Sequence, residues 1–184
     1  MPVLLDVPGL FVAGSAIAHA SRKRIETTGA YGESRYVRSA LVVAILYSLS
    51  TLFLAFWRED WMWSYLLRPP VATMVWYLIF AAVLCGAAWL GALLTQRALR
   101  RGQRLLAYGY LLIPFLMLVG GWLALADQYT HIGTYDEYHA GRASAFMPDT
   151  WRVVFISIAV NATVLIAVAI INRRLDSRDA KGET

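Results

Sequence analysis

Cysteine, histidine and charge are all scarce in this chain. Of its 184 residues, 16% are Asp, Glu, Lys or Arg, three are His and one is Cys. A single cysteine, Cys85, excludes an internal disulfide, a CxxC redox pair and a zinc ribbon. No Ser–His–Asp order, phosphate loop or DNA-binding motif stands at a suitable place. The N-terminus lacks a basic leader region, and Asp6 and Pro8 interrupt the stretch that a signal peptide keeps apolar, so cleavage is not expected. There is no internal repeat and no low-complexity tract.

What is abundant is apolar surface: 59% of the residues are hydrophobic and the mean hydropathy is +0.52. A soluble domain is about half apolar and about a quarter charged, so this excess calls for a solvent other than water. Four runs carry no Lys, Arg, Asp, Glu or His: residues 39–57, 71–95, 105–126 and 153–172. Each matches the roughly 20 residues needed to cross a hydrocarbon layer of about 30 Å, where one ionised side chain costs about 2.5 kcal/mol or more. The expectation is an all-α integral membrane protein, a bundle of four transmembrane helices spanning 39–172. Residues 1–38 precede it, an outer loop of 127–152 interrupts it, and a mobile tail of 173–184 follows.

Thirteen of the seventeen basic residues fall before the first run, between the second and third, or after the fourth. Arg58, Arg68, Arg142 and Arg152 are the remainder. The positive-inside rule then places both termini and the 97–104 turn in the cytoplasm, and the 58–70 and 127–152 loops outside an inner membrane. The acids divide six and six, giving about +7 inside and about −2 outside by formal charge. Anionic headgroups account for the net +5 charge, so nucleic acid is not an expected partner. Trp57, Trp61, Trp63 and Tyr65 crowd the outer end of the first run, as interface-anchoring rings do.

The N-terminal segment supports two readings. Leu10, Phe11, Gly14, Ile17 and Ala18 share one helical face, while Ser15, His19, Arg22 and Glu26 share another. That division suits an N-terminal interfacial helix on the cytoplasmic side, with Pro8 in its first turn and His19 at the surface. The alternative is a fifth, short spanning helix, which carries the N-terminus outside. A linker at 27–34 follows in either case.

Helices in lipid gain little from burying apolar side chains against one another, so close packing through small residues matters. Ala81, Cys85, Ala88 and Ala92 form such a face on the second run, thinned further by Gly86 and Gly91. Gly109, Pro114 and Gly120–Gly121 suggest a bend in the third. Asn161 lies near the middle of the fourth, where an amide marks an inward or intersubunit face. No charge falls inside the four runs, which counts against an independent pump. No paired histidines do either, which excludes a quinol-type cytochrome b.

The outer loop holds the chemistry. In DQYTHIGTYDEYHAG, residues 127–141, Asp127 and His131 lie four apart and share a face if the helix continues one more turn. With His139, Asp136, Glu137 or Asp149 they could hold copper or zinc. A plain wet connector is the other reading. The segment Asp127-x-x-x-His131, followed by RASAFMPDTW at 142–151, resembles the C subunit of copper membrane monooxygenases, the particulate methane and ammonia monooxygenase family. There Asp-x-x-x-His closes a membrane helix and Arg-x-x-x-Phe-x-Pro-x-His follows. Asp127 and His131 match two copper ligands, and Arg142, Phe146 and Pro148 match the landmarks. Thr150 stands where the family has its third histidine, the intervening spacer is longer, and the family's subunit continues past the fourth span. The resemblance therefore implies that His139 replaces the missing ligand or that the site is degenerate.

Three functions remain. The leading expectation is a subunit or assembly factor of a larger inner-membrane complex, with the lipid bilayer and other membrane subunits as partners. The second is a copper-binding subunit of a monooxygenase-like enzyme, and the third an oligomeric small-molecule channel or carrier.

Overall fold

The structure is a computed structural model. It describes residues 3–28, 33–57, 70–129, 132–133, 140–141, 145–146 and 150–181. Within the helices, the described side chains are those of 6–27, 35–50, 75, 77–121, 159 and 162–178. The described residues are helical apart from one small bridge. In chain order they form α1 (Val3–Ala20), α2 (Arg22–Thr28), α3 (Glu33–Trp57), α4 (Pro70–Arg100) and α5 (Arg104–Tyr129). Two short strands follow, β1 (Ile132–Gly133) and β2 (Ala145–Phe146), and then α6 (Thr150–Lys181). β1 and β2 pair in parallel, Ile132 with Ala145 and Gly133 with Phe146. Among the described residues, two segments are long and apolar enough to cross a membrane by length and composition, Tyr77–Arg100 and Arg104–Gly121, with mean hydropathies of 2.2 and 1.6.

The sharp reversal between α4 and α5 follows from Gly102, whose φ of 69° is open to glycine at little cost. The Gln103 N–H donates to the Ala98 carbonyl and the Gly102 N–H to that of Leu99, satisfying two carbonyls that the end of α4 would otherwise leave bare. At the α1–α2 corner the Ser21 carbonyl accepts from the Arg24 and Ile25 N–H groups and starts the next helix.

The N-terminal helix packs among the others: α1 sits in the middle of the bundle, touching α3, α4, α5 and α6, with its longest contact along α4. Both of its faces are covered. Leu10, Ala13, Ile17 and Ala18 are buried, but so is Ser15, at 0% exposure, and its hydroxyl bonds that of Thr95 at 2.8 Å. His19 Nε2 donates to the Ala107 carbonyl at 3.0 Å, so it is not the surface residue its spacing suggests. The helix also begins before Pro8, which lies inside it rather than in its first turn.

The approach of α1 to α4 is close enough to exclude side chains. A Cβ built on Gly14 would fall on the Ala88 carbonyl and lie 3.0 Å from the Ala92 nitrogen. One built on Gly91 would fall on the Phe11 carbonyl. Since Phe11 meets Gly91 and Ser15 meets Thr95, α1 and α4 run parallel. Against α5 the direction reverses, with His19 at Ala107 and Gly9 near Leu118. The expected linker shrinks as well, because α2 occupies Arg22–Thr28 and α3 starts at Glu33. The tail expected to be mobile is helical through Lys181.

Candidate functional site

Two sets of polar side chains are built by this packing. The first lies inside the bundle. The carboxylate of Asp6 on α1 accepts a hydrogen bond from the Tyr47 hydroxyl on α3. Asp6 is fourteen residues before Ala20, about 21 Å along the helix at 1.5 Å per residue. Its place before the first charge-free run predicts the cytoplasmic face for this acid, in a chain whose apolar runs hold no charge. The structure instead sets it beside the middle of α3. Nearby, the Tyr77 hydroxyl donates to the Ser48 carbonyl. Further along, Gln96 is 1% exposed, and its Oε1 has no partner among the described residues.

The second set closes one end of the bundle, where α1, α4 and α6 finish and α3 and α5 begin. Two carboxylates organise it. Glu26 on α2 receives Arg22 Nε at 2.9 Å and the Nε and Nη2 of Arg104, each at 3.1 Å, tying the corner to α5. Tyr108 adds to this junction, stacked on His19 with ring centroids 5.0 Å apart and hydrogen-bonded by Arg22. Asp176 on α6 receives Arg35 at 3.2 Å and the Tyr36 hydroxyl at 2.9 Å, both from α3, while Arg24 Nε stands 3.7 Å away. Arg24 also donates to the Asp176 carbonyl at 2.7 Å. One turn inward, Ser39 and Asn172 exchange hydrogen bonds at 3.2 and 3.1 Å.

The electrostatics follow the geometry. Burial works to raise the Glu26 carboxyl, but the hydrogen bonds and charges of Arg22 and Arg104 outweigh it and hold the group below its ordinary range. The Tyr36 phenol is pushed above its ordinary value, first by burial and then by the Asp176 carboxylate that it donates to. Arg38, Arg97, Arg101 and Arg174 are exposed at this same end. The three basic clusters that are far apart in sequence thus converge in space.

Of the small-residue face on α4, Ala88 and Ala92 are fully buried against α1, while Ala81 and Cys85 are half-buried. The proposed metal ligands have a different standing. The helical backbone of α5 extends through Asp127 to Tyr129, but the Asp127 side chain, His131 and His139 lie outside the described residues, as does the Asn161 side chain. The β1–β2 pair brings the segment after His131 beside Phe146, a landmark of the copper-monooxygenase resemblance. No cluster of three or more His, Cys, Asp or Glu able to hold a metal occurs among the described residues.

Sequence reasoning missed Asp6, Asp176, Arg24 and Arg35 as partners. An acid inside an otherwise apolar N-terminal stretch was the available signal for Asp6. Arg22 and Glu26, four apart on a helix, were legible as a pair. No family model matches the chain, and no curated protein or solved structure is significantly similar to it.

Proposed function

We propose that the chain is a subunit or assembly factor of a larger complex in an inner membrane, with α1 as a short fifth inserted helix among four spans. The observation that carries this reading is the state of α5. Its Arg104–Gly121 segment is apolar enough for a membrane, yet only 6% of it is buried within the bundle. Leu105, Ile113, Leu116 and Met117 are 62–89% exposed. Lipid or another subunit must cover such a surface, since water would not tolerate it. The basic end faces the cytoplasm under the positive-inside rule, and α1, running parallel to α4, then points its N-terminus outward. That orientation departs from the expectation of two cytoplasmic termini. The test is extraction from native membranes in a mild detergent, followed by native mass spectrometry. The chain is expected to travel with at least one other membrane protein at fixed stoichiometry. A monodisperse single chain would count against the subunit reading.

Asp6 favours one second reading. A charge-free apolar layer counts against a carrier, but Asp6 supplies a carboxyl there, hydrogen-bonded by a phenol. Ionisable groups so placed recur in proton and substrate pathways. An oligomer of this chain acting as a small-molecule channel or carrier would use Asp6 as its titratable group. The copper reading retains its sequence basis in Asp127, His131 and His139.

A further inference from the structure

A groove of about 510 Å³ runs between α3 and α6 at the basic end, lined on one side by Arg35, Arg38, Ser39 and Val42. On the α6 side its walls are Val168, Ile171, Asn172 and Leu175. The lining changes character with depth. The arginines stand at the mouth with Leu175 facing them, the Ser39–Asn172 pair lies one turn in from Arg35, and Val42, Val168 and Ile171 follow along the helices toward the apolar layer. From Arg35 to Val42 is seven residues, about 10 Å of rise.

The charges at the mouth are unequal. Arg35 is committed to Asp176 at 3.2 Å. Arg38, one turn away, is exposed and has no partner among the described residues. The groove therefore presents a cation above an aliphatic slot, parallel to the helices. A soluble anion would use the cation and leave the slot wet. A peptide helix is too wide, at about 10 Å, to enter between two packed helices. A phospholipid with an anionic headgroup matches both parts, the phosphate at Arg38 and an acyl chain along Val42, Val168 and Ile171.

We propose that this groove binds an anionic phospholipid of the basic-end leaflet. Basic pockets between membrane helices on the cytoplasmic side suit such headgroups, and each Lys or Arg near an anionic surface contributes about 1 kcal/mol, or about fivefold in occupancy. The site rests on the reading of the chain as membrane-integral. It also gives Asp176 a further role: by holding Arg35 it leaves Arg38 as the groove-lining cation that meets the phosphate.

The test is native mass spectrometry of the folded, detergent-purified protein titrated with phosphatidylglycerol, with phosphatidylethanolamine and, separately, with inorganic phosphate. Retention of phosphatidylglycerol over phosphatidylethanolamine is expected, and R38Q should lower it about fivefold. Val168→Trp, which fills the slot without touching charge, should lower it too, while R101Q, at the same end but away from the groove, should not. Inorganic phosphate should fail to displace the lipid. Equal retention of the two lipids, or equal loss in R38Q and R101Q, would overturn the site. Displacement by phosphate would show a bare anion site instead. Folded protein that holds no phosphatidylglycerol refutes the groove and leaves the membrane reading standing.

Discussion

Gly14→Ala and Gly91→Ala should each destabilise the bundle by about 1–3 kcal/mol, the usual cost of forcing a methyl group into a filled interior. Leucine at either position should expel α1 altogether. At both glycines the obstacle is a backbone carbonyl of the facing helix, Ala88 for Gly14 and Phe11 for Gly91. A backbone cannot rotate out of the way as a side chain can, so relief requires the helices to separate along their whole contact. The helix contact would then lose the Ser15–Thr95 hydrogen bond as well. Gly86 and Gly120 provide the contrast, because a Cβ at either meets nothing within 4 Å. Alanine there should be neutral or stabilise by about 0.5–1 kcal/mol, since glycine inside a helix is entropically unfavourable. Thermal unfolding in a mild detergent separates the two pairs. Four equal shifts would mean that α1 does not approach α4 as described.

The second large effect is expected at Asp176. Its carboxylate is shared by Arg35 and Tyr36 and faces Arg24, and its side chain is 13% exposed. Removing it in Asp176→Ala sets two guanidinium groups together without the acid between them and takes the acceptor from a buried phenol. Breaking a buried pair from one side costs about 3–5 kcal/mol. The arginine side chains here are 28% and 32% exposed, so solvent screening reduces the expectation to about 2 kcal/mol. Asp176→Asn keeps an oxygen for Tyr36 and should lose less. Limited proteolysis reports the consequence directly: the end of α6 should become a cleavage site in the alanine variant and stay protected in the wild type.

These two sites also show what a sequence of this kind conceals. The helical class was legible because charge-free runs of membrane length are rare in water-soluble chains, and α4 and α5 carry that signal strongly. The position of α1 was not. Its hydrophobic spacing is compatible with a surface helix, and what pulls it inside is shape, the fit of Gly14 against Ala88, which hydropathy does not record. Ser15 and His19 looked like a wet face because their partners, Thr95 and the Ala107 carbonyl, are eighty or more residues away. Asp176 looked like part of a charged tail for the same reason, since Arg24 and Arg35 reach it across more than 140 residues. The Asp127–His131 motif rests on its spacing and on the copper-monooxygenase resemblance, and its side chains lie outside the described residues.

The central claim is that the N-terminal helix lies inside the bundle, parallel to α4, and it can be tested by cross-linking. In a Cys85→Ala background, Ser15 and Thr95 would each be replaced by cysteine, with a protease site inserted at 29–32. Their hydroxyl oxygens are 2.8 Å apart, so the two thiols should join under mild oxidation. After proteolysis the two fragments should stay together until reductant is added. The Ser15→Cys thiol alone should resist a water-soluble maleimide in intact membranes. Fragments that separate without reductant, together with rapid labelling at position 15, would put the helix on the membrane surface and contradict the account.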